Sequence, residues 1–122
     1  MTAKAASTIL VVDDYSDNRT LLSAWLRAKG FKVVEASDGK EGVLQANRSN
    51  PDLILMDLAM PELDGVEMMR CIRSVNPNVR ALYMSGATIK YQAALDRERK
   101  EFDARVLAKP FSRHALLHEI VD

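Results

Sequence analysis

The sequence predicts an α/β domain, in which a parallel sheet of five strands carries helices on both faces. Three observations lead to this fold class. Short, mainly apolar segments alternate with longer segments in which apolar residues recur at helical spacing. The short segments have the length and composition of strands that are covered on both faces. The 122 residues suit one domain, and right-handed crossovers would wind the alternating elements into a doubly wound sheet.

Each predicted strand is a short apolar run that stops at a polar residue or a turn signal. The runs are residues 9–12, 31–35, 52–56, 79–84 and 104–108. In the third run Leu53 to Met56 are all apolar, and Asp57 follows directly. Met60 and Pro61 end this segment, because proline has no N–H for a β-ladder. Asp57 is therefore expected where a rigid strand leaves the core.

Five helices are expected to follow these strands. They cover about residues 15–29, 37–50, 63–74, 89–100 and 111–121. The first helix carries four apolar residues on one side, namely Leu21, Leu22, Trp25 and Leu26. Gly30 is expected as its C-terminal cap, and Ser112 as the N-terminal cap of the last helix.

Composition and charge exclude several classes of protein. The formal net charge is zero, so no basic surplus favours nucleic acid. No apolar run has the length of a membrane span, and residues 1–7 lack the apolar core of a signal peptide and are expected to form a flexible tail. The single cysteine, Cys71, favours a reducing, cytoplasmic location. We expect one domain over residues 1–122, without a nucleic-acid or membrane partner.

Chemically capable side chains follow four of the predicted strands. They are Asp13 and Asp14 after the first, Asp57 after the third, Ser85 after the fourth and Lys109 after the fifth. The carboxyl ends of the strands meet at one edge of such a sheet, and ligands bind there. An isolated aspartate is most often an ordinary solvated residue. The five residues together instead predict a functional site.

Three carboxylates at one edge would repel one another. A divalent cation with oxygen ligands relieves the repulsion, and Mg²⁺ suits carboxylates, water and a phosphate oxygen. With Lys109 the charges of the site then balance. Asp57 is the candidate nucleophile for attack on phosphorus, which gives an acyl phosphate. Lys109 and Mg²⁺ would stabilise the phosphoryl oxygens, and Ser85 would donate a hydrogen bond to them.

Four motifs point to a known family. They are Val11-Val12-Asp13-Asp14, Asp57-Leu58-Ala59-Met60-Pro61 with Asp64-Gly65, Met84-Ser85-Gly86 and Lys109-Pro110-Phe111. With them, the chain from Thr8 onward resembles the receiver domain of bacterial two-component response regulators. The resemblance implies a flavodoxin-like (βα)5 sheet with strand order 2-1-3-4-5.

The resemblance also implies the partner and the metal ligands. Asp57 would accept a phosphoryl group from a phosphohistidine on a histidine kinase or a histidine phosphotransfer protein. Asp14, Asp57 and the backbone carbonyl of Ala59 would bind Mg²⁺ directly, and Asp13 would act through water. The transfer is expected to change contacts with a downstream protein that the sequence does not identify.

Three further implications concern the strands beside Asp57. Ser85 and Lys109 would both bind the phosphoryl group, and a cis peptide bond is expected before Pro110. Most receivers carry Tyr or Phe three residues before the lysine, where this chain has Val106. We therefore expect Val106 to be part of the strand core rather than a switch.

Two alternatives differ in function. One is a receiver-like interaction module that phosphorylation does not control, and the complete set of five site residues counts against it. The other is a phosphatase with an aspartyl nucleophile, which needs a second aspartate where this chain has Ala59. We expect a phosphoacceptor that catalyses its own phosphorylation and dephosphorylation but is not a turnover enzyme.

Residues 81–86 resemble receivers of hybrid sensor kinases, so a free-standing regulator and a domain of a larger kinase both stay open.

Overall fold

The computed structural model describes residues 7–58, 65–86, 96, 97, 100, 102 and 104–121. Within these residues, five parallel strands form one sheet in the order β2-β1-β3-β4-β5. The strands are β1 (Thr8–Val12), β2 (Lys32–Ala36), β3 (Leu53–Asp57), β4 (Arg80–Ser85) and β5 (Ala104–Ala108). The predicted strand order is confirmed, and each strand lies within one residue of its predicted position.

Four helices are described alongside the sheet. They are α1 (Ser16–Ala28), α2 (Gly39–Ser49), α3 (Gly65–Arg73) and the C-terminal helix (Arg113–Val121). Of the helix predicted over residues 89–100, only 96, 97 and 100 are described, and all three are helical. None of the described helices is both long and apolar enough to cross a lipid bilayer.

Some predictions fall outside the described residues. Residues 1–6 of the expected tail and residues 59–64, which include Ala59 and the Met60-Pro61 pair, are not described. Ser7 is described, and its carbonyl accepts a hydrogen bond from the Lys32 N–H at 3.0 Å.

The core lies in two layers, one on each face of the sheet. Successive residues of a strand point to opposite faces. Leu10 and Ile54 accordingly face a layer with residues of α2 and α3, whereas Ile9 and Leu55 face a layer with residues of α1 and the C-terminal helix. This two-sided burial explains why residues 9–12 of β1 and 53–56 of β3 are all apolar, up to the carboxylate that follows each run. Val106 is half-buried and packs against the α2/α3 layer, as expected of a core residue.

The helix ends follow the predicted capping. Gly30 has φ +93° and its N–H donates to the Arg27 carbonyl at 3.0 Å, which is the conformation that a glycine allows after a helix. The Ser112 hydroxyl accepts a hydrogen bond from the Ala115 N–H at 3.0 Å. In α1, Leu22 and Leu26 are buried, but Leu21 lies at the rim of this apolar side and is 47% exposed.

Core packing gives a first prediction. Leu82 of β4 is fully buried in the layer under α1, whereas Leu44 of α2 is 47% exposed. We expect Leu82→Ala to lower the free energy of unfolding by about 2–5 kcal/mol, because it leaves a cavity. Leu44→Ala makes the same chemical change at the surface and should cost less than about 1 kcal/mol. Urea unfolding followed by circular dichroism measures both, and equal losses would contradict this description of the core.

Candidate functional site

The parallel register brings four of the expected residues to one edge of the sheet. Asp57 and Ser85 are the last residues of β3 and β4, and Asp13 and Lys109 come directly after β1 and β5. Asp57 lies opposite Met84, and Ser85 lies opposite Ala108. The Lys109 N–H donates to the Ser85 carbonyl at 2.8 Å, so the ladder continues to the residue that carries the ammonium group.

Three carboxylates form an acidic cluster at this edge, made up of Asp13, Asp14 and Asp57. Each contributes an oxygen, and these oxygens all lie within 4.8 Å of one another. Asp13 is fully buried and Asp57 is 4% exposed, whereas Asp14 is open to solvent. The cluster therefore has a buried side, and a side from which an ion or a ligand can enter. It offers only oxygen ligands, which hard divalent cations prefer.

Lys109 forms the ion pair of the site. Its Nζ lies 2.9 Å from Oδ1 of Asp57. The Lys109 side chain is about one quarter exposed, while that of Asp57 is almost fully buried. The Lys109–Pro110 peptide bond is cis, as the sequence resemblance implied. The ammonium group thus partly neutralises the buried side of the acidic cluster.

Asp13 is held by three donors from the segment that follows it. The Tyr15 N–H donates to its Oδ1 at 2.9 Å, and the Asn18 amide donates to its Oδ2 at 2.6 Å. Arg19 donates from Nη1 to the Asp13 carbonyl at 2.8 Å. Asn18 and Arg19 are not among the site residues predicted from the sequence. The sequence feature that could have identified them is their position in the first turn of α1, just after the aspartate pair.

The electrostatics of the cluster favour a cation. Burial raises the pKa of the Asp13 carboxyl above its ordinary value, and the charge of Asp57 raises that pKa further. The hydrogen bonds from Tyr15 and Asn18 and the charge of Lys109 lower the pKa in part. The folded chain without metal therefore holds Asp13 in an environment that penalises its charge, and a nearby cation would offset part of this penalty.

An apolar cavity of about 440 Å³ lies beside Lys109. Leu21, Leu22 and Trp25 of α1 form one wall, and Pro110 and Phe111 form the other. Leu21 is exposed because its side chain lines this open cavity and does not pack into the core. We call this opening the α1 cavity.

Residues 9–121 match the family model described as response regulator receiver domain. The chain belongs to this family. Receiver domains are signalling modules, and the five-stranded order found here is the one that the resemblance implied. The acidic cluster and Lys109 lie at the edge where ligands of doubly wound sheets bind.

Two curated relatives illustrate the range of proteins that carry this domain. The alkaline phosphatase synthesis transcriptional regulatory protein PhoP of Bacillus subtilis is 36% identical over 104 residues, which cover 85% of this chain and 42% of that protein. The chain thus spans less than half the length of this relative. The response regulator receiver protein CpdR of Brucella abortus is 31% identical over 113 residues, with 92% of each chain covered.

A solved structure provides a comparison for the site. The receiver domain of the sensor histidine kinase PA1611 from Pseudomonas aeruginosa is 34% identical, covers 94% of each chain and superposes with a TM-score of 0.78. That structure holds a magnesium ion coordinated in its active-site cleft. Receiver domains of transcriptional regulators and of sensor kinases are thus both similar to this chain.

The raised pKa of Asp13 gives a prediction for the metal-free protein. A carboxyl whose pKa is raised by folding binds its proton more tightly in the folded state, so its contribution to stability is lost as the pH rises through the raised pKa. Asp13→Asn removes the buried charge. We expect this variant to unfold at higher urea concentration than the wild type at neutral pH in EDTA, with a smaller difference at mildly acidic pH.

The matched control is Asp17→Asn, in the exposed first turn of α1. The negative charge of Asp17 interacts favourably with the dipole of α1. Removal of that charge should therefore not stabilise the folded chain at either pH. A stability gain for Asp13→Asn that grows as the pH falls would contradict the expected sign.

Proposed function

We propose that the chain is a phosphoacceptor in two-component signalling, which takes a phosphoryl group onto Asp57 in a reaction that depends on Mg²⁺. The observation that carries this proposal is the environment of Asp57. Its nearly buried carboxylate lies 2.9 Å from the Lys109 ammonium and within 4.8 Å of two further carboxylates.

The residues present fit Mg²⁺. Asp14 and Asp57 would bind the ion directly together with the carbonyl of Ala59, and Asp13 would act through water. The oxygen-only donor set and the penalty on the Asp13 charge support this assignment. The magnesium ion in the related receiver of PA1611 supports it as well. When bound, Mg²⁺ supplies positive charge that stabilises the phosphoryl oxygens during transfer.

The chain's own residues supply the nucleophile and part of the charge stabilisation. An oxygen of Asp57 attacks phosphorus, the P–N bond of the donor phosphohistidine breaks, and its electron pair returns to the imidazole. β3 fixes the nucleophile from behind, because every residue of that strand is buried. Lys109 lies close enough to move from the carboxylate to the incoming phosphoryl oxygens. Ser85, at the end of the neighbouring strand, would donate its hydroxyl proton to the same group.

The donor would be a histidine kinase or a histidine phosphotransfer protein. The α1 cavity offers such a partner an apolar contact next to Lys109, and therefore within reach of Asp57. Phosphorylation would change the contacts that the domain makes with a downstream protein. We place the reaction in the cytoplasm, which the single cysteine favours.

Phosphorylation of Asp57 can be tested with a small phosphodonor. We expect the wild type to gain one phosphoryl group from acetyl phosphate or phosphoramidate in the presence of Mg²⁺ and none in EDTA. Asp57→Asn should abolish the gain completely, because the amide is not a nucleophile for phosphorus. Intact-mass spectrometry measures the product.

The matched control is Asp52→Asn at the opposite end of β3. Asp52 is exposed, and its carboxylate accepts the Thr8 N–H, so this variant should be phosphorylated like the wild type. A phosphoryl group gained by Asp57→Asn in the presence of Mg²⁺ would overturn the assignment of the acceptor. If the wild type gains no phosphoryl group and shows no NMR shifts with beryllofluoride, the chain is instead an interaction module that phosphorylation does not control.

A further inference from the structure

The hydrogen bonds of Asp13 divide evenly between its two carboxylate oxygens. Oδ1 accepts the Tyr15 N–H at 2.9 Å, and Oδ2 accepts the Asn18 side-chain amide at 2.6 Å. A carboxylate oxygen has two acceptor positions, so each oxygen keeps one position for a metal ion or its water. Two donors on different oxygens also fix the rotation of the carboxylate plane.

One of the two donors to the Asp13 carboxylate belongs to the backbone and the other to a side chain. The Tyr15 N–H belongs to the backbone of the turn and is present whatever the side chain. The Asn18 amide is a side-chain group on the first turn of α1, half-buried, and also part of the wall of the α1 cavity. Of the two donors to the fully buried Asp13 carboxylate, Asn18 is thus the one that a substitution can remove.

We propose that Asn18 is a positioning residue for the metal site, because its amide holds the Asp13 carboxylate in the orientation that serves the cation. This inference rests on the proposed Mg²⁺ site. Without the amide, repulsion from Asp57 and attraction to the Lys109 ammonium would turn Asp13 toward the lysine. Lys109 would then pair with Asp13 as well as Asp57, and a cation would have to break both pairs.

The backbone of Asp13 is held separately from its side chain. Arg19 donates from Nη1 to the Asp13 carbonyl at 2.8 Å, and its Nε lies 3.4 Å from a carboxylate oxygen of Glu35 on β2. The Asp13 N–H donates to the Ala36 carbonyl at 3.1 Å. Loss of the Asn18 amide should therefore leave the main chain in place and change only the Asp13 side chain at the proposed Mg²⁺ site.

The test measures Mg²⁺ affinity rather than phosphorylation. Loss of a group that orients a metal ligand typically weakens metal binding by about 10–100-fold, and we expect at least about tenfold weaker binding for Asn18→Ala. Asn18→His places a ring N–H at the same distance from the backbone and should restore most of the affinity at mildly alkaline pH. Isothermal titration calorimetry with MgCl₂ measures the affinity, and emission from Trp25 in the α1 cavity gives a second readout.

Thr20→Ala is the matched control, since Thr20 is an exposed residue two positions further along α1. It should bind Mg²⁺ like the wild type. Urea unfolding in EDTA shows whether each variant is folded. Unchanged affinity in folded Asn18→Ala would overturn the inference, as would equal weakening in Asn18→Ala and Asn18→His. If the wild type itself does not bind Mg²⁺, the proposed function fails instead, so the two failures are distinguishable.

Discussion

The ion pair between Lys109 and Asp57 is the interaction on which the arrangement of the site depends. Two of the three clustered carboxylates are buried, and burial of uncompensated charge is costly. The Lys109 ammonium group, 2.9 Å from Asp57, offsets part of that charge. The remaining negative charge makes the site receptive to a divalent cation, and the pair keeps the Asp57 carboxylate and the Lys109 ammonium group within hydrogen-bonding distance.

The sheet makes this pair possible. Asp57 and Lys109 are 52 residues apart in the chain, and three parallel strands in register bring them together. Apolar layers cover both faces of the sheet. The charged side chains of the site lie at the carboxyl end instead, where the buried strands leave the core. The same register places Ser85 between them, at the end of β4.

Helix α1 serves the site in two ways. Its first turn holds Asp13 through Asn18 and Arg19, and its apolar side lines the α1 cavity next to Lys109. Because α1 contacts both the acidic cluster and the cavity, one helix positions the buried Asp13 carboxylate and also forms part of the apolar surface beside Lys109. The relatives of this chain include receivers in transcriptional regulators and in sensor kinases, so the same domain occurs in different kinds of protein.

The sequence by itself determined the parallel sheet with helices on both faces, the capping at Gly30 and Ser112 and the identity of the clustered residues, and the strand order followed from its resemblance to receiver domains. Apolar runs that end in Asp13, Asp57, Ser85 and Lys109 carry this information locally, because parallel topology forces their ends to one edge. Only the tertiary structure decided the contacts made by Asn18 and Arg19, the exposure of Leu21 and the penalty on the charge of Asp13. These depend on distances between side chains from separate elements and on their exclusion from water, and helical spacing alone does not specify either quantity.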